Sequence, residues 1–259
     1  MGMKIAIDAG HGPETPGKRT PDESMREFEF NSAAAQYLAD VLVNDYADVQ
    51  VQFMHEANRD VPLSERTKRA NSWGADLYVS IHANAYGNSW NDARGIETYV
   101  YTTKPPEAVR LANAVQRKLI EATGLVNRGV KSADFHVLRE TNMTAILIEC
   151  GFMSNRAEAE LLKSDDYRRT CARAIAAGIA ETYQLARKPA PSDGGSQQGQ
   201  TALFRDVPPG HWAEAYIAAV RNSGIMVGYG DGTFRPDRPV TRAELAKVLN
   251  DILYLIQSK

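Results

Sequence analysis

The amino-acid sequence predicts an α/β fold, in which a mostly parallel, twisted sheet is flanked by helices and a small helical module follows at the C-terminus. Up to about residue 186, short apolar runs alternate with stretches of helical periodicity, which is the pattern of a parallel α/β sheet. A polar segment rich in Pro, Gly and Ser then interrupts the pattern, and two helical stretches follow it. We therefore expect an α/β domain over residues 1–186, a flexible linker over 187–200 and a small module over 201–259.

Each predicted element follows from its local pattern. Strands are predicted where short apolar runs occur, at residues 4–9, 49–54, 77–82, 96–101 and 145–150. Helices are predicted where apolar residues recur at helical spacing, at residues 28–43, 62–73, 107–123 and 166–185. Pro62 suits the start of a helix and Gly124 the end of one. The C-terminal module has helical patterns at 211–223 and 241–256, and it is so small that we expect it to pack against something.

Composition excludes several classes of function. The chain has 259 residues, a formal net charge of −2 and a pI near 6.2, so it has no basic field with which to hold nucleic acid. Its apolar stretches are too short to cross a membrane, so we expect no membrane insertion. The first residues lack the pattern of a secretion signal. Cys150 and Cys171 have no metal-type spacing and are predicted to be buried free thiols, with a disulfide as the alternative.

Three predicted strands end in residues that can bind a metal or transfer protons. His11 follows the first strand, His82 ends the third and Glu149 lies in the last. In an open parallel sheet, functional sites form beyond the carboxyl ends of the strands, so these side chains can converge. A catalytic zinc takes three protein ligands, for which imidazole and carboxylate are suitable donors, and leaves a position for water. The spacing alone leaves a structural, hydrogen-bonded role for each histidine equally open.

Six motifs extend this pattern over nearly all of residues 3–185. In chain order they are Asp8–Gly12, Arg26–Asn31, Ser80–Ala85, Arg128–Lys131, Val137–Arg139 and Leu147–Asn155. Together they resemble the zinc-dependent N-acetylmuramoyl-L-alanine amidases of the amidase-3 type. The resemblance implies that His11, Glu27 and His82 are zinc ligands and that Glu149 is the catalytic carboxylate. Glu23 and Glu29 are the weaker alternatives to Glu27.

The resemblance also implies a reaction, the hydrolysis of the amide bond between N-acetylmuramic acid and L-alanine in peptidoglycan. An amide is a poor electrophile, so Zn²⁺ is needed to polarise the carbonyl and to lower the pKa of water from ~16 to roughly 7. Glu149 can then take a proton and pass it to the departing amine. The loop Pro13–Ser24 departs from the family's glycine-rich sequence, which leaves its conformation open.

Other polar residues in or near these motifs are assigned structural or supporting roles. His136 is assigned to the surface or to a hydrogen bond, with a place beside the substrate groove as the alternative. Asn84 orients a ligand or a substrate amide, or satisfies backbone groups at a strand end. Arg66 and Asn71 match a family segment and are assigned to helix packing.

The C-terminal module contains a second set of motifs. Phe204–Val207, His211–Ala213, Gly224–Pro236 and Thr241–Glu244 follow one another in the order of one S-layer homology repeat, which the module resembles. The resemblance implies binding to secondary cell-wall polysaccharide. Arg235 and Arg242 can pair with a carboxylate of the ligand, and Trp212 or Tyr229 can stack on a sugar. The alternative is that Thr241, Arg242 and Glu244 only cap and stabilise the following helix.

The sequence leaves three hypotheses for function. The first is an active zinc amidase that acts at the cell wall, either as a phage endolysin released by a holin or as a host autolysin whose signal is missing from this sequence. The second is a non-catalytic protein that binds cell-wall glycan. The third is a zinc peptidase that cuts within the stem peptide. The complete set of His11, Glu27, His82 and Glu149 favours the first hypothesis.

Overall fold

The computed structural model of the protein describes residues 2–15, 17–188 and 203–257. The chain forms two compact units, Met1–Lys188 and Pro189–Lys259. Apart from residues 187 and 188, the predicted linker lies outside the described residues.

The first unit alternates strands and helices in the predicted manner. Its strands are β1 (Met3–Ala9), β2 (Val49–Phe53), β3 (Leu77–Asn84), β4 (Ile96–Val100), β5 (Asn127–Ser132) and β6 (Thr144–Phe152). Its helices are α1 (Glu27–Asp45), α2 (Leu63–Trp73), α3 (Pro106–Thr123), α4 (His136–Arg139), α5 (Arg156–Lys163) and α6 (Asp165–Tyr183).

The six strands form one sheet in the order β2-β1-β3-β6-β4-β5. Neighbouring strands are parallel except for β4 and β6, which are antiparallel. The central strands β1, β3 and β6 are therefore parallel neighbours, so their carboxyl ends meet at one edge of the sheet. Glu149 on β6 is in register with His82 on one side and with Glu97 on the other. These three residues form a row across the sheet, and their side chains leave it on the same face.

The hydrophobic core has two layers because strand side chains alternate between the faces of the sheet. One face packs against α1, α3 and α6 through residues such as Ile7, Ile81 and Ile148. The other face packs against α2 and α4, and Tyr78 and Leu147 belong to it. Helices on both faces are the arrangement expected for a largely parallel sheet.

The predicted fold class is confirmed, and the predicted strands and helices of the first unit are confirmed to within two residues at each end. The sequence analysis missed β5, α4 and α5. Strand β5 reads Asn-Arg-Gly-Val-Lys-Ser and lies at the edge of the sheet, so it has no apolar run to reveal it. Helix α4 has four residues, which is too short for a helical period to be visible. Cys150 and Cys171 are buried free thiols, as predicted.

The second unit contains α7 (Glu214–Asn222) and α8 (Arg242–Gln257). Helix α7 begins three residues later than the predicted start at residue 211. The core of the second unit contains the buried apolar residues Phe204, Val207, Ala213 and Ile217. The Asp206 carboxylate accepts hydrogen bonds from two consecutive backbone N–H groups in the turn region, at 2.8 and 2.7 Å. None of the described helices in either unit combines the length and apolar character needed to cross a bilayer.

Candidate metal and catalytic site

His11 lies two residues beyond the end of β1, in a tight turn at the carboxyl edge of the sheet. Its φ of 68° falls in the left-handed region, which is uncommon for a residue other than glycine. The preceding Gly10 donates its N–H to the carbonyl of Ile81 on β3, at 3.0 Å. A Cβ atom on Gly10 would collide with the ring of His82, so this close approach of β1 and β3 requires glycine.

Glu27 is the first residue of α1 and is buried between the two histidines. Its Oε2 lies 3.1 Å from Nε2 of His11, and its Oε1 lies 2.9 Å from Nδ1 of His82. One ligand atom from each of the three residues lies within 4.8 Å of the others. Asn31, one helical turn later, donates to the carbonyl of Gly10 at 3.0 Å and so fixes α1 to the His11 turn. The structure thus brings together the three residues predicted as metal ligands.

The two alternative glutamates lie elsewhere. Glu29 accepts a hydrogen bond from the backbone N–H of Arg26 at 3.3 Å and so caps the start of α1. Glu23 is exposed and lies 3.4 Å from Arg19. The loop before α1 contributes to the site instead through Lys18, whose backbone N–H donates to Oε2 of Glu27 at 3.0 Å.

The electrostatics of this His–Glu–His group favour positive charge. Burial alone would raise the pKa of Glu27, but the hydrogen bonds and charges of His11 and His82 lower it far below its usual value. Burial likewise opposes a charged His82, yet the hydrogen bond to Glu27 raises the pKa of His82 to about 9. A buried carboxylate between two imidazoles stabilises either a proton or a cation at that place. The donor set of two imidazoles and one carboxylate therefore fits a divalent transition-metal ion.

Glu149 extends from β6 directly opposite His82. Its Oε2 atom is buried and has no hydrogen-bond partner among the described residues. Burial raises the pKa of Glu149 to about 8, with the negative charges of Glu27 and Glu97 acting in the same direction and the charge of His82 against it. An unpaired carboxylate oxygen is costly in a buried place, which marks it as a functional group.

Arg66 is a structural part of this site that the sequence analysis assigned to helix packing. The side chain is buried, and its Nη1 donates to Oδ1 of Asp8 at 2.7 Å and to the carbonyl of Ala9 at 2.6 Å. Its Nη2 donates to the carbonyl of His11. The other carboxylate oxygen of Asp8 accepts from Ser80 at 2.8 Å. Helix α2 thus holds the end of β1 in the unusual conformation that presents His11.

Glu97 also supports the site, and the sequence analysis did not single it out. It is buried on β4 opposite Glu149 and accepts hydrogen bonds from four side chains, which are those of Asn84, Tyr99, Arg128 and Lys131. Burial works against its ionisation, but Lys131 and Arg128 lower the pKa of Glu97 below its usual value. A glutamate within the strand 96–101 was the available signal, because a buried carboxylate in a sheet needs charged partners.

A cleft of about 690 Å³ lies over this edge of the sheet. The residues that line it include His11, Glu27, His82 and Glu149, together with the apolar Leu63, Phe135 and Val137. His136 also lines the cleft, and its Nε2 lies 3.4 Å from the hydroxyl of Thr67. Asn71 lies apart and clamps the segment after α4 through backbone groups of Glu140 and Asn142, at 2.8 and 2.9 Å.

The residues predicted to bind polysaccharide are all in the second unit. Trp212 is 52% exposed. The Arg235 guanidinium lies 3.0 Å from the carboxylate of Asp231 and 4.1 Å from the ring centre of Tyr229, so partners within the unit already hold it. Arg242 is exposed at the start of α8, and no ion-pair partner for it lies among the described residues.

A group of ligand-type side chains beside a buried carboxylate, at the carboxyl edge of the central parallel strands, is an arrangement found in hydrolases. Residues 5–181 match the N-acetylmuramoyl-L-alanine amidase family (Amidase_3), and residues 203–246 match the S-layer homology domain. The chain belongs to this amidase family, and it is an enzyme that hydrolyses amide bonds of peptidoglycan. Its S-layer homology domain associates it with the cell wall.

Individual relatives agree with this assignment. The chain is 36% identical over 188 residues to the N-acetylmuramoyl-L-alanine amidase CwlM of Bacillus licheniformis, which covers 73% of this chain and 72% of that protein. It is 30% identical over 254 residues to the endolysin of Bacillus phage SPP1, covering 93% of this chain and 90% of that protein. The crystal structure of the N-acetylmuramoyl-L-alanine amidase from Clostridium difficile 630 superposes with a TM-score of 0.68 at 33% identity, covering 71% of this chain and 97% of that one.

Proposed function

We propose that the chain is a zinc-dependent amidase in which His11, Glu27 and His82 hold the zinc ion and Glu149 transfers the proton. The observation that carries this proposal is the convergence of three ligand atoms within 4.8 Å of one another, next to a buried carboxylate oxygen that has no partner in the described part of the chain. Zinc suits the group because it accepts imidazole and carboxylate ligands and keeps a position open for a reactant. When bound, such an ion acts as a Lewis acid that polarises the scissile carbonyl and acidifies water.

The chain's own residues then have separate tasks. Water must add to the carbonyl carbon, the bond from carbon to nitrogen must break, and the departing nitrogen must gain a proton. Oε2 of Glu149, which makes no hydrogen bond within residues 2–15, 17–188 and 203–257, can take the proton lost by water, and it can return that proton to the nitrogen. Its raised pKa suits this exchange, because the carboxyl then holds and releases a proton near neutral pH. Arg66 and Asn31 keep the ligand side chains in place during the reaction.

The second unit is proposed to hold the enzyme at the wall by binding secondary cell-wall polysaccharide. Arg242 is exposed and available for a carboxylate of the sugar, and the exposed ring of Trp212 can stack on a sugar face. Arg235 contributes through the structure of the turn, because Asp231 and Tyr229 occupy its guanidinium. The similarity to the phage SPP1 endolysin over 93% of the chain supports a role as an endolysin, with an autolysin as the alternative.

The experiment that tests the proposed reaction is digestion of purified peptidoglycan, followed by mass spectrometry of the products. We expect intact stem peptides with a free amino group on L-alanine, and glycan strands with a free lactyl carboxyl group. Fragments cut between two amino acids of the stem would instead identify a peptidase. Elemental analysis of the same preparation should find zinc.

A further inference from the structure

Asn84 ends β3, two residues beyond His82, and lines the same cleft as His82 and Glu149. The pairing of β3 with β6 shifts between His82 and Asn84, so that one residue on β3 lies opposite two on β6. Such a bulge changes the direction of a side chain relative to a regular sheet. Asn84 is partly exposed, and its backbone carbonyl is already occupied by the N–H of Met153 at 2.7 Å. The side-chain amide is therefore the group that Asn84 presents to the cleft.

The neighbour that orients this amide is Glu97. Oε1 of Glu97 accepts from Nδ2 of Asn84 at 2.9 Å and from the hydroxyl of Tyr99 at 2.7 Å. Oε2 of Glu97 accepts from Nε of Arg128 at 2.6 Å and from the amino group of Lys131. Two cations on one buried carboxylate keep Glu97 ionised. An ionised carboxylate can only accept hydrogen bonds.

The orientation of the Asn84 amide follows from this chemistry. Its NH₂ group must face Glu97, because an oxygen placed there would meet the negative carboxylate. The Oδ1 atom therefore points away from Glu97, and no partner for Oδ1 lies among the described residues. Since Asn84 lines the cleft, a fixed hydrogen-bond acceptor is presented beside the catalytic group. An amide N–H is the complementary donor, and the substrate of the proposed reaction is rich in such groups.

We propose that Asn84 binds an amide N–H of the substrate through Oδ1, and that Glu97 is the positioning residue that fixes this acceptor. The inference rests on the proposed function, since it takes a muramyl peptide as the ligand. The ligand has three amide N–H groups, and the inference concerns the two outside the scissile bond: that of the peptide bond after L-alanine and that of the N-acetyl group. Neither is the N–H of the scissile bond, so each can be removed without abolishing the reaction site.

The test is a binding cycle with three soluble ligands. The first is an N-acetylmuramoyl dipeptide, the second replaces the N–H after L-alanine by an ester oxygen, and the third lacks the N-acetyl group. Dissociation constants are measured by calorimetry in a Glu149→Gln background, so that the ligands are not consumed. Asn84→Ala should weaken binding of the parent ligand by about fivefold to tenfold, the usual effect of one hydrogen bond. Asn84→Ala should cause no such loss for the analogue that lacks the N–H bound by Asn84. The analogue that is insensitive to the substitution therefore identifies the donor.

Three outcomes would overturn the inference. Asn84→Ala could cause an equal loss for all three ligands, which would mean that Asn84 accepts from neither of these two N–H groups. It could also leave the affinity for the parent ligand unchanged, or the Glu149→Gln protein could fail to bind the parent ligand measurably. Asn113→Ala is the matched control, because Asn113 is exposed on α3 and its side-chain amide donates to the carbonyl of Val109 in its own helix. That control should bind all three ligands as the background protein does.

Glu97→Gln should reproduce the ligand-selective loss, since a neutral amide no longer dictates which way Asn84 points. In the Asn84→Ala background, Glu97→Gln should add no further selective loss. If Glu97→Gln does not fold, Glu97→Asp keeps the charge but withdraws the oxygen from Asn84, and it should show the same selectivity. A loss from Glu97 variants that is equal for all ligands would contradict the positioning role. Failure of the proposed function looks different: the ligands would bind with the expected coupling, and the wild-type enzyme would leave the muramyl amide uncut.

Discussion

Replacing Arg66 by methionine should destabilise the first unit strongly, because the replacement leaves a buried charge without its partner. Arg66 and Asp8 are 3% and 1% exposed, and the guanidinium also donates to the carbonyls of Ala9 and His11. Methionine replaces only the aliphatic part of the arginine side chain, so the packing of that part is kept. The four hydrogen bonds of the guanidinium, to Asp8 and to the carbonyls of Ala9, His11 and Val61, are lost. Removing one partner of a buried ion pair costs about 3–5 kcal/mol.

The measurement is urea unfolding followed by tryptophan fluorescence in a Trp212→Phe background. The remaining tryptophans, Trp73 and Trp90, both lie in the first unit and report on it alone. The double variant Arg66→Met with Asp8→Asn should recover part of the loss, on the order of 2 kcal/mol, because no unpaired charge remains buried. Destabilisation by Arg66→Met of less than about 1 kcal/mol would refute the reasoning, since a surface ion pair contributes that little.

The same contacts predict an effect on metal binding. Arg66→Lys keeps the positive charge but cannot reach Asp8 and the carbonyl of His11 with one planar group. Mutation of a residue that hydrogen-bonds to a metal ligand typically lowers metal affinity by about 10- to 100-fold, so zinc affinity should fall by a factor in this range. Competition with a chromophoric chelator measures it. Zinc affinity equal to that of the wild type would mean that the His11 turn keeps its conformation without Arg66.

Further predictions concern the candidate ligands, the proton carrier and the second unit. Elemental analysis should find about one zinc per chain, and His82→Ala should lose tightly bound zinc; full zinc content and activity in that variant would exclude His82 as a ligand. Glu149→Gln should keep its zinc but lose on the order of 10² or more in turnover, whereas near-normal turnover would require another base. Truncation after Lys188 should leave cleavage of soluble muropeptides nearly unchanged and reduce activity on intact walls. Arg242→Ala and added salt should both weaken wall binding of the full chain, and equal wall binding by the truncated enzyme would argue against an anchoring role.

The sequence was sufficient to predict the buried strands and the helices with clear apolar faces. These elements are held by the hydrophobic effect, which leaves a periodic signal in the sequence. Strand β5 left no such signal, because it is held at the sheet edge by backbone pairing with β4 and by side-chain contacts such as that of Arg128 with Glu97. Propensity and periodicity are local properties, and an edge strand depends on partners far away in the chain.

The residues of the candidate site also differ in how far the sequence alone could identify them. The resemblance selected Glu27 over Glu23 and Glu29, and the structure places Glu27 between His11 and His82; the metal role of these residues stays a prediction. Arg66 and Glu97 could not be assigned from local pattern. Arg66 acts on residues 55 to 58 positions earlier, and Glu97 accepts from Arg128 and Lys131, 31 and 34 positions later. Such contacts exist only once the strands have been ordered in the sheet.

The row of side chains at this sheet edge explains why Glu149 is suited to carry the proton. Glu27 is held as a carboxylate by two imidazoles, and Glu97 by an arginine and a lysine, so the pKa of each is lowered. Glu149 lies on β6, between the strands of His82 and Glu97, and no partner for its Oε2 atom lies among the described residues. Its burial and the neighbouring negative charges raise its pKa. Neighbouring carboxylates whose pKa values move apart can take different roles in one reaction. Among these three glutamates, Glu149 is the one whose protonation can change near neutral pH. The cations on Glu97 therefore serve the chemistry indirectly, because they let a second carboxylate lie opposite Glu149 without competing with it for the proton.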